Sequence, residues 1–176
     1  MKQIPSGTAT LYYLNFGGPM NLRNYQPEDC ASLSELFFHT VHTVNAKDYT
    51  KAQLDAWATG RVDLADWNDS FLKHMTLVAE EGGAIVGFGD MDDTGYLDRL
   101  YVHKDHQRNG IASAIVNVLE QKASMKDVHC FSVFASITAR PFFEQRGYFV
   151  VRENKVVRGS VELINFLMIK NPEKHA

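Results

Sequence analysis

The run Leu97-Asp98-Arg99-Leu100-Tyr101-Val102-His103-Lys104-Asp105-His106-Gln107-Arg108-Asn109-Gly110-Ile111-Ala112 decides how this chain is read. Residues 97–102 have the composition of a strand, and a short polar loop follows. A helix then begins around Gly110 and runs to Ser124, with Ile111, Ile115, Val118 and Leu119 near one stripe. Such a junction exposes the unpaired N–H groups of a first helical turn at the positive end of the helix dipole. A glycine there lets an anion approach the main chain, so a diphosphate is expected against the amides of residues 108–112. The dipole contributes only about 0.3 to 1 kcal/mol at an exposed site, so several donors must act together. Neither GxGxxG nor GxxxxGK[ST] occurs, which removes a dinucleotide fold and a P-loop.

On the N-terminal side, Tyr96 to Val102 is preceded by two further strands, Thr76 to Glu80 and Ala84 to Asp90, joined across Glu81, Gly82 and Gly83 as a hairpin. Earlier still, Asn21 to Tyr25 reads as a strand. Pro27, Glu28 and Asp29 open a helix whose Leu33, Leu36, Phe37 and Val41 share a face and which ends near Thr43. Tyr49 to Ala58 and Asp66 to His74 read as helical pieces separated by Gly60. On the C-terminal side come a strand at His129 to Ala135, a short helix at Thr138 to Arg146 stopped by Gly147, and a closing hairpin, Phe149 to Val157 and Val161 to Ile169. This mixed order implies a central sheet covered on both faces. Residues 1–19 have a different character, marked by Ser6, Gly7 and Thr8 and then by Gly17, Gly18 and Pro19. They are expected to be a leader or vector-derived extension before a natural start at Met20, with a short strand around Leu11 to Phe16 as the alternative.

A length of 176 residues gives one domain with a substantial core, here residues 20–176. Hydrophobic residues at 45% and charged residues at 22% are those of an ordinary globular chain. A net charge of -3 and a pI near 6.1 exclude a domain built to hold a nucleic-acid backbone, which needs a basic face. No apolar run spans a membrane and no secretory signal is evident, so cytoplasm is the expected location and no membrane partner is expected. Cys30 and Cys130 are too few for a disulfide framework and are expected to be two buried thiols. His39 and His42 lie three apart on a helix with no third ligand nearby in sequence, so no metal is expected.

Two segments carry a resemblance. Gln107-Arg108-Asn109-Gly110-Ile111-Ala112 resembles the [QR]-x-x-G-x-[GA] signature of the GNAT acetyltransferases, preceded at the family's usual distance by the strand end Leu100-Tyr101-Val102. Ala139 to Tyr148 is similar to the family's distal helix and the Gly-aromatic pair that follows it. The resemblance covers roughly residues 20–169 and implies an α/β (α+β) fold, with a mixed central sheet of about seven strands, splayed after the fourth, and helices on both faces. It implies acetyl-CoA as cosubstrate. The main chain of Leu100 and Val102 would pair with the pantetheine arm, with Tyr101 between them also counted as cofactor-binding. The amides of Gln107, Arg108, Asn109, Gly110, Ile111 and Ala112 would hold the pyrophosphate, with the Ser113 hydroxyl added. Ser136, Ala139, Phe142 and Phe143 would flank the other side of the cofactor.

The same resemblance implies direct attack of an amine on the thioester through a tetrahedral oxyanion held by N–H groups near Leu100. A lysine-type amine of pKa about 10.4 must first lose a proton at a cost of about 4.6 kcal/mol at pH 7, whereas an α-amine of pKa near 8 needs about one unit. Asp98 is the candidate base or ammonium anchor. Strand alternation places it opposite Arg99, so the two are not expected to neutralise each other. Many GNAT enzymes carry a proton-donating tyrosine four residues before the terminal glycine, and Phe143 stands there instead. Tyr49 and Tyr101 are the alternative hydroxyls, with Tyr49 carried beside Asp98 as catalytic. His42 and Trp57 are assigned to the acceptor pocket. The expected function is acetyl transfer to a primary amine of a small molecule, by a monomer or homodimer. A protein acceptor and a silent acyl-CoA sensor are the alternatives.

Overall fold

The pair Gly82 and Gly83 takes left-handed φ values of 59° and 83°, which suit the two-residue turn that matches strand twist. It folds β3 (Met75–Glu81) onto β4 (Ala84–Met91). In this computed structural model, residues 10–13 and 19–171 are described. They add β1 (Thr10–Tyr13), β2 (Pro19–Asn24), β5 (Tyr96–Val102), β6 (Phe131–Ser136), β7 (Phe149–Arg158) and β8 (Val161–Lys170) in one sheet of order β1-β2-β3-β4-β5-β6-β8-β7. The expected seven strands are all present, and β1 is an eighth at the edge beside β2. Of the leader expected over residues 1–19, residues 1–9 and 14–18 lie outside the described residues.

The helices are α1 (Cys30–Thr43), α2 (Lys51–Trp57), α3 (Leu64–Lys73), α4 (Ile111–Ser124) and α5 (Arg140–Gln145). Alternation along β3 divides them into two layers. Leu77 and Ala79 bury against a core with Ile111, Ile115 and Leu119 of α4, and Val78 buries against a core with Leu33, Phe37 and Val41 of α1. Two glycines fix how closely α4 lies. A Cβ on Gly87 would stand 2.9 Å from Cγ2 of Ile111, and one on Gly89 would stand 2.9 Å from Cγ2 of Ile115. Any side chain at either position would push the helix away from the sheet.

Every neighbouring pair is antiparallel except β5 and β6, which are parallel and matched only at Tyr96↔Ser132 and Leu97↔Val133. Beyond Leu97 the two strands part. Each keeps its outer partner, β5 on β4 and β6 on β8, so a wedge opens inside an otherwise continuous sheet. This is the splay after the fourth strand, counted from β2. The register of β4 explains where it starts: Asp90 faces Arg99 and Met91 faces Leu97, so Asp98 is an extra residue in a β-bulge.

That bulge corrects one expectation. Simple alternation puts Asp98 and Arg99 on opposite faces, yet Nη2 of Arg99 lies 3.1 Å from Oδ2 of Asp98. A bulge breaks the period of two and brings consecutive side chains together. A second correction concerns Cys130, which is exposed while Cys30 is buried. Strand β6 starts at Phe131 rather than His129, so Cys130 stays outside the sheet.

Candidate active site

The wedge leaves main-chain groups open. His103 N donates to Val86 O at 2.8 Å, and antiparallel alternation therefore commits the odd residues of β5 to β4. Leu100 and Val102 direct their main-chain groups into the gap. The Val102 carbonyl is already engaged, accepting from Thr40 Oγ1 at 3.0 Å and Gln107 Nε2 at 2.6 Å. The N–H groups of Leu100 and Val102 and the carbonyl of Leu100 remain to take an added strand.

At the wide end of the wedge stands the N-terminus of α4. Gly110 is its N-cap with φ 84° and no capping side chain, and the first internal bond is Ala114 N to Gly110 O at 2.9 Å. The amides of Ile111, Ala112 and Ser113 thus lack an intrahelical acceptor. Arg108 is also left-handed, at φ 64°, which curls the loop around that point. The resulting cleft measures about 760 Å³, and its walls include every expected cofactor residue except Asn109. The Gln107 side chain ties the loop to the end of β5, donating to Val102 O and His103 O. These features fit a long thiol-bearing arm ending in a diphosphate.

A second cavity, about 450 Å³, lies against the first. Trp57, Asp98, Tyr101, Phe134 and Ser136 line both, and Asp98 brings the carboxylate of this seam. Helices α2 and α3 and the loop between them line one side of it with Trp57, Arg61, Val62 and Trp67. A group held in one cavity and a group held in the other meet at Asp98.

Behind the seam is a charge network. Asp90 is 0% exposed; its Oδ2 is bonded by His74 Nδ1 at 2.7 Å and Arg99 Nη1 at 2.9 Å. Its Oδ1 has no hydrogen-bond partner among the described residues. The Arg99 guanidinium stacks over Phe71 at 4.7 Å and Trp67 at 5.0 Å, donates to Ser70 Oγ at 3.0 Å and reaches Asp98. Hydrogen bonding to Asp90 raises the His74 pKa above its ordinary 6.5. Burial, with Asp98 beside it, pushes the Tyr96 hydroxyl up to about 12. The ligand-type atoms of His74, Asp90 and Asp98 lie within 4.8 Å of one another, and the Arg99 guanidinium already supplies the balancing cation.

The remaining expected residues separate clearly. Trp57 lines both cavities. Tyr49 lies on the wall of the second cavity, but its hydroxyl donates to Ile164 O at 2.8 Å and accepts from Ile137 N at 2.9 Å, bridging β8 to the turn after β6. Its proton is therefore held by a carbonyl. Tyr101 is at the seam; burial raises its pKa, and the Trp57 indole and the Arg99 charge act against that rise. Phe143 is 2% exposed and packs its ring on Phe142 and Tyr148. His42 is not brought to either cavity; its Nε2 lies 2.9 Å from Ala58 O and its ring stacks on Phe38. Residues that sequence reasoning missed are His74, Asp90, Arg61, Arg158 and the network role of Arg99. An aspartate inside the apolar run of β4 was the signal available for Asp90.

Comparison with known proteins agrees with this geometry. Residues 45–169 match the family model described as acetyltransferase (GNAT) domain. The uncharacterized N-acetyltransferase YafP of Escherichia coli (strain K12) is 32% identical over 154 residues, covering 88% of this chain and 97% of the relative. A GCN5-related N-acetyltransferase structure from Rhodopseudomonas palustris superposes with a TM-score of 0.83 at 30% identity, covering 91% of this chain and 98% of that one. The PaiA N-acetyltransferase of Thermoplasma acidophilum, solved with coenzyme A, shares the fold at a TM-score of 0.71 and 16% identity, covering 86% and 98% of the two chains.

Proposed function

The chain belongs to the GNAT acetyltransferase family, and from that premise we propose that it moves the acetyl group of acetyl-CoA to the primary amine of a small molecule. The observation that carries the reading is the contact of two cavities at Asp98, one shaped for the thiol arm and one lined on one side by α2 and α3. The volume of the second cavity, about 450 Å³, favours a small acceptor over a protein segment.

Bound acetyl-CoA supplies an activated acyl thioester. The α4 amides of residues 111–113 hold its diphosphate, and the Val102 N–H and the Leu100 carbonyl take the pantetheine amides. Asp98 anchors the incoming ammonium and relays its proton to solvent, so the amine reacts through its neutral fraction at the protonation cost set by its own pKa. The neutral nitrogen then attacks, and main-chain N–H at Leu100 stabilises the oxyanion. The thiolate departs as a fairly good leaving group, since a thiol of pKa about 8.5 is only weakly basic. Tyr101 is the hydroxyl at the seam that can return a proton to it. Tyr49 acts as a positioning residue, because its two main-chain bonds fix both sides of the pocket.

Thiol release from acetyl-CoA, followed over amino acids, polyamines, aminoglycosides and peptides, tests the reading. Release with small amines and little with peptides is expected. Tight coenzyme A binding with no transfer to any acceptor would replace the enzyme by an acyl-CoA sensor.

A further inference from the structure

The charged side chains on the acceptor wall are Arg61, Asp98, Arg99 and Arg158. Arg99 is neutralised by Asp90 and Asp98. Arg158 makes a long bond to the Trp57 carbonyl at 3.4 Å, and Arg61 is tied to Thr59 through its own main chain only. Among the described residues, neither guanidinium has a carboxylate in ion-pair contact. Arg158 comes from the end of β7 and Arg61 from the loop between α2 and α3, so separate elements bring two uncompensated cations to one cavity. The Arg158 charge is felt as far in as the Tyr101 hydroxyl.

Resting on the acetyltransferase reading, we propose that the acceptor is an amino carboxylate with an apolar or aromatic body, its ammonium at Asp98 and its carboxylate at Arg158 and Arg61. A guanidinium presents paired donors that match a carboxylate, and both arginines are exposed and free to turn toward one. Phe37, Trp57, Trp67 and Leu163 offer the body an apolar wall. A polyamine or aminoglycoside would place its further ammonium groups against these arginines, where like charges repel.

The test compares L-phenylalanine, L-methionine and L-leucine with their carboxamides and with the amines lacking the carboxylate. The carboxamides keep the shape and have a less basic amine, so protonation alone favours them. Preference of the parent for the acids by about 10- to 100-fold in kcat/KM is expected, the range for one charge-assisted contact. An Arg158→Glu variant reverses it, and Arg158→Lys restores part of it. Equal or better acetylation of the carboxamides overturns the proposal. Calorimetry of the amino acids with the enzyme–coenzyme A complex is read independently of turnover. Heat that Arg158→Glu abolishes supports the carboxylate site even where no acetyl moves. No heat with any amino acid overturns it even where other amines are acetylated.

Discussion

The two halves of the site are made of different material. The cleft we assign to acetyl-CoA is main chain, with the amides opening α4, the unpaired edge of β5 and a glycine whose φ of 84° lets the helix start uncapped. The pocket we assign to the acceptor is side chain, with aromatic walls and a network running from His74 through buried Asp90 and Arg99 to Asp98. Main-chain recognition ignores most side-chain identities and serves one invariant ligand. Side-chain recognition changes with each substitution and sets which amine is taken. The halves should therefore fail differently when altered.

The largest separation is expected from Gly110→Glu. A non-glycine residue at this φ costs about 1–3 kcal/mol, and its carboxylate would stand against the diphosphate. We expect kcat/KM for acetyl-CoA to fall at least about 100-fold with the fold retained by circular dichroism. A variant with parental coenzyme A affinity would break the comparison from the cofactor side. Asp98→Asn attacks the other half. It should lower kcat by about 100-fold or more, as expected for loss of a general base, while the coenzyme A dissociation constant stays within about twofold. Loss of coenzyme A affinity instead would place Asp98 in the wrong half.

A smaller effect is expected behind the pocket. The His74 pKa is raised in the folded protein by Asp90, so the pair's contribution is complete below about pH 6.5 and is lost as pH rises through the folded value. His74→Asn keeps a neutral donor and removes the titration. Urea denaturation should show the parent more stable by about 1 kcal/mol near pH 6, with the two curves converging at higher pH. Parallel curves across that range would show that the pair is not charged. Phe143→Tyr should change least. Its ring is buried against Phe142 and Tyr148, and a rise in kcat beyond about tenfold would mean that thiolate protonation limits turnover, against the leaving-group argument.

The same contrast explains what could be read from the sequence. A strand, a polar loop and a glycine-led helix are local, so the cofactor cleft was legible from residues 97–112, and with the distal segment it fixed the fold. The acceptor half depends on pairings between distant residues. The bulge at Asp98 exists because β4 skips a residue opposite it, and nothing within 96–102 shows that. His74 and Asp90 meet because two strands pair. Arg61 and Arg158 are 97 positions apart in the chain. His42 shares a helix with pocket residue Phe37, but its rotation on α1 turns it toward Ala58.

The most direct test is a crystal structure of the chain with coenzyme A. The account predicts diphosphate oxygens about 2.7–3.2 Å from the amides of residues 111–113, with the thiol deep in the wedge between β5 and β6, beside Asp98. Coenzyme A bound outside the wedge, or a thiol directed away from Asp98, would contradict it.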